Sequence, residues 1–76
     1  MKRIAVKIAG SPREPIDITI NPGTTPQEIC RQLNLEGYLL SAKGSQTFFG
    51  AGENIFPLVV EGDLVYATTA AEVGAI

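Results

Sequence analysis

Hydrophobic and polar positions alternate strictly over residues 3–9, RIAVKIA. Ile4, Val6 and Ile8 fall on one side, and Arg3, Ala5 and Lys7 on the other. Residues 16–21, IDITIN, repeat the pattern, with Ile16, Ile18 and Ile20 set against Asp17, Thr19 and Asn21. A period of two rich in β-branched side chains is the pattern of a strand buried on one face. Between the two runs, GSPREP supplies a glycine and prolines, residues that favour turns. A β-hairpin is predicted.

The period then lengthens. In NPGTTPQEICRQLNLEG, the side chains of Pro26, Ile29, Cys30 and Leu33 recur at steps of three and four, forming one apolar stripe. Thr25 is placed to cap exposed backbone N–H groups, Pro26 suits the first helical position, and Glu28 completes a capping box. A helix is predicted over 25–34, with Gly37 as its stop.

The second half reads as short strands. GYLLSAKGSQTFFG predicts a strand, a turn at Lys43-Gly44-Ser45 and a second strand over 46–49. A connection follows, anchored by Ile55, Phe56, Leu58 and Val59, and DLVYATT forms the last strand. One helix can cover only one face of such a sheet, so the other face should meet water. The predicted class is α+β: a mixed sheet of four to five strands with one helix crossing one face.

Composition narrows the function more than the fold. Seventy-six residues, 45% of them hydrophobic, make a single small globular domain. A chain of this size buries only about 60% of its unfolded surface. The lone cysteine rules out an intramolecular disulfide, and a reduced, cytoplasmic setting is expected. No apolar run approaches the roughly 20 residues of a membrane helix, so no membrane partner is expected. The net charge of −2 and scattered cations argue against a nucleic-acid partner.

Candidate chemistry is sparse. Cys30 has no histidine to activate it, because the chain contains none, and it lies on the helix's apolar stripe. It reads as core. Gly50-Ala51-Gly52 lacks the third glycine of a dinucleotide fingerprint, since Ile55 stands there, and reads as a turn. Glu61-Gly62-Asp63 brings two carboxylates close, but without further ligands it reads as the turn before the last strand. No catalytic residue, metal or cofactor is expected, and the chain is not expected to be an enzyme.

The element order, the TTPQEI helix start, LLSAKG and VVEGDLVYA together resemble the β-grasp, ubiquitin-like family over nearly the whole chain. The EGDLVYA stretch is similar to the last strand of the small sulfur-carrier proteins of molybdopterin and thiamine biosynthesis. The resemblance implies a β-grasp domain over 1–70, with 71–76 as a flexible tail. It also implies a protein modifier or sulfur carrier, acting as a monomer in a prokaryotic pathway. Its partners would be an ATP-dependent adenylating enzyme and a processing peptidase. Small side chains suit a tail that must thread a narrow channel to a nucleotide. The attachment point falls at Gly74 and Ala75.

Family members end in a Gly-Gly pair, whereas here Val73-Gly74 is followed by Ala75-Ile76. Cleavage after Gly74, cleavage after Ala75, or a non-conjugating binding module with an idle tail all remain open. The family pattern also places Leu39, Val65 and Ala67 under the helix. Leu40, Leu64 and Tyr66 then form an apolar patch on the open face, the expected partner-binding surface.

Overall fold

The computed structural model describes residues 1–45 and 47–69. The expected tail, 71–76, lies outside them. Strand β1 (Lys2–Ile8) pairs antiparallel with β2 (Ile16–Ile20), which forms the predicted hairpin. A helix, α1 (Pro26–Gln32), crosses to β3 (Tyr38–Ala42). The chain then makes a short 3-10 turn (Phe56–Leu58) before β4 (Leu64–Thr69). The sheet order is β2-β1-β4-β3, with β4 parallel to β1 and antiparallel to β3. The sheet is therefore mixed, as expected for α+β.

Local chemistry explains the helix boundaries. The Glu28 N–H donates to Thr25 Oγ1 at 3.3 Å, and the Thr25 hydroxyl donates to the Glu28 carboxylate at 3.3 Å. The Gln27 N–H, which has no partner inside the helix, donates to the Ala51 carbonyl at 3.1 Å. The 50–52 turn thus closes the start of α1 rather than cradling a nucleotide.

The helix stops earlier than Gly37. Asn34 takes the left-handed conformation at φ 59°, the Asn34 N–H donates to Arg31 O, and the Leu35 N–H donates to Cys30 O. These two bonds make a Schellman stop. Gly37, at φ 86°, serves instead in the tight turn closed by the Tyr38 N–H and Leu35 O, which launches β3.

The core lies between α1 and one sheet face. Ile4 and Val6 of β1, Ile18 and Ile20 of β2, and Ile29 and Cys30 of α1 are buried there. Leu35, Leu40, Ile55, Val59, Val65 and Ala67 complete it. Of the anchors expected in the connection, Leu58 is 48% exposed, because the 3-10 turn points it away while Ile55 and Val59 turn inward. The fifth predicted strand is reduced to a single bridge, Ser41 to Phe48. Among the described residues, no helix is long and apolar enough to cross a membrane.

Candidate functional site

Strand register determines which side chains share the face opposite α1. Residues paired across neighbouring strands point to the same side. Lys7 pairs with Tyr66, Tyr66 with Ser41, and Ser41 with Phe48, so these four run across the sheet as one row. Ala5 and Leu64 form the row on one side of it, and Leu39 and Thr68 the row on the other. Leu39, Phe48, Leu64 and Tyr66 are each partly exposed, and none belongs to the core or packs against it. They form an apolar cluster on the open face.

The expected patch is thus corrected at one position. Leu40 is 0% exposed. It pairs with Ala67, also fully buried, so both sit under the helix. Leu39, expected inside, takes the open position, while Leu64 and Tyr66 lie on the expected face. The tandem leucines carry no alternation of their own, so only the pairing with β4 sets their phase.

Two members of the row were not singled out in the sequence. Phe48 arrives through its bridge to β3, and Ser41, only 7% exposed, lies between Tyr66 and Phe48 on its two flanks. A serine in YLLSA gives no sign of such burial. The bridge to Phe48 spans the predicted turn at Lys43-Gly44-Ser45, whose register the sequence does not fix.

The open face is graded. Its β3–β4 half carries Leu39, Leu64 and Tyr66 beside Ser41 and Thr68, with no charged side chain, whereas its β1–β2 half carries Arg3, Lys7, Asp17 and Thr19. The Lys7 ammonium donates to the carbonyls of Ser11 and Arg13, which ties the hairpin loop back to the strand. At the other end of β1, the Arg3 N–H donates to the Glu61 carboxylate at 3.0 Å, and the Gly62 N–H donates to Arg3 O at 2.7 Å. The Val60 N–H donates to the Asp63 carboxylate at 2.9 Å, and Gly62 sits at φ 88°. Both carboxylates are therefore engaged in building a turn that needs a residue free to adopt positive φ.

The other candidates from the sequence that fall on described residues lie away from this face. Cys30 is buried, its thiol lies 3.7 Å from the Tyr38 carbonyl, and desolvation pushes its pKa up, away from the reactive thiolate. Among the described residues, no group of three or more His, Cys, Asp or Glu side chains could hold a metal. Gly74 and Ala75, the expected attachment residues, lie outside the described residues.

No protein-family model matches the chain, and no curated protein matches it significantly. Among solved structures it is similar to a ubiquitin from Caldiarchaeum subterraneum. The two share 20% sequence identity with a TM-score of 0.69, over 90% of this chain and 91% of the other. At that identity the likeness concerns the fold, which is a ubiquitin-like β-grasp.

Proposed function

We propose, with the ubiquitin-like β-grasp fold as premise, that this chain is a small protein modifier or sulfur carrier. Its open sheet face is gripped by a protein partner through Leu39, Phe48, Leu64 and Tyr66. The segment after β4, processed at Gly74 or Ala75, supplies the carboxylate. The likeness to a ubiquitin over nearly the full length of both chains carries this proposal. The apolar cluster beside a charged half supports it, because a solvent-facing group of this kind is the usual mark of a protein contact.

The chemistry belongs to the partner. The exposed carboxylate attacks the α-phosphorus of ATP, pyrophosphate leaves, and an acyl adenylate forms. A sulfur nucleophile then attacks the acyl carbon and displaces AMP. The product is a thioester on a partner cysteine, or a thiocarboxylate when the carrier role applies. The small protein contributes a docking face and a segment with small side chains.

Mass spectrometry tests this directly. The chain is incubated with ATP and with any adenylating enzyme and any peptidase found encoded beside its gene. Loss of Ile76, or of Ala75-Ile76, followed by gain of an adenylate or thioester, is the expected result. An unchanged mass overturns the proposal. Deletion of residues 72–76 should abolish function, and full function after that deletion would identify a non-conjugating binding module.

A further inference from the structure

We draw no further inference here: the strongest candidate, the groove of about 440 Å³ between α1 and β3 lined by Pro26, Cys30, Arg31, Tyr38 and Phe49, is an unpartnered and largely apolar surface, and nothing in the structure shows what covers it.

Discussion

Leu39 and Leu40 are neighbours in one strand with identical side chains, yet they belong to different regions of the molecule. Leu40 is sealed beneath α1, whereas Leu39 lies on the open face beside Thr68. On the closed face each side chain is held by the core around it, so its identity is explained by packing. On the open face, Leu39, Phe48, Leu64 and Tyr66 pack against none of that core. They are half-buried rather than sealed, which makes that face the place to look for a partner.

The largest expected effect tests this contrast. Leu40→Ala should cost about 2–5 kcal/mol, the range for truncating a fully buried leucine. A domain this small has only about 3–5 kcal/mol in hand, so much of the population should unfold at 25 °C. Ile29→Ala, on the helix side of the same core, should behave alike. Leu39→Ala should cost under ~1 kcal/mol. Urea titrations of the three variants measure this, and similar losses at both leucines would erase the distinction between the faces.

On the open face the expected effect moves from stability to binding. Tyr66→Asp places a charge in the middle of the apolar cluster while leaving the core untouched. If Tyr66 anchors the partner, affinity for the adenylating enzyme should fall at least ~30-fold, as for an interface residue worth about 2 kcal/mol. The thermal midpoint should shift by only a few degrees. Calorimetric titration beside a melt separates the two quantities, and unchanged affinity would remove Tyr66 from the contact.

Two lysines extend the comparison to the ends of β1. Lys2 donates to the carbonyls of Phe56 at 2.6 Å and Val59 at 2.9 Å, and its ammonium lies 4.2 Å from the Phe56 ring centroid. It ties the segment carrying Ile55 and Val59 to the sheet. Lys7, on the open side, holds only the hairpin loop. Lys2→Met keeps the apolar stem and loses the charge-assisted bonds, so it should cost about 1–2 kcal/mol. Lys7→Met should cost no more than ~0.5 kcal/mol. Thermal melts rank them, and the reverse order would mean that the hairpin loop matters more than the 55–59 segment.

How much of this was legible depended on whether one segment carried its own phase. In RIAVKIA and IDITI the alternation assigns each side chain to a face without reference to the rest of the chain. TTPQE likewise carries its own helix start. DLVYATT alternates too, which is why Leu64 and Tyr66 fall where expected. YLLSA does not, because apolar residues at 38, 39 and 40 satisfy either phase. What decides it is the turn before the strand and the pairing after it, Leu40 against Ala67. Phe48 and Ser41 fall on either side of the predicted 43–45 turn, but that turn alone leaves open which residues face each other. Gly74 stands out only through the family resemblance.

The turn that sets this phase offers the smallest effect and the most pointed test. Asn34 holds φ 59°, a conformation that asparagine tolerates and glycine adopts freely. Asn34→Gly should therefore leave stability within ~0.5 kcal/mol of the parent. Asn34→Val should cost about 1–2 kcal/mol, because a β-branched side chain resists the left-handed region. If the Schellman stop also fixes where β3 begins, the valine variant should speed amide exchange across Tyr38–Ala42 more than across β1. Uniform acceleration over the sheet would show that Asn34 contributes only global stability, and that pairing with β4 alone sends Leu40 inward and Leu39 out.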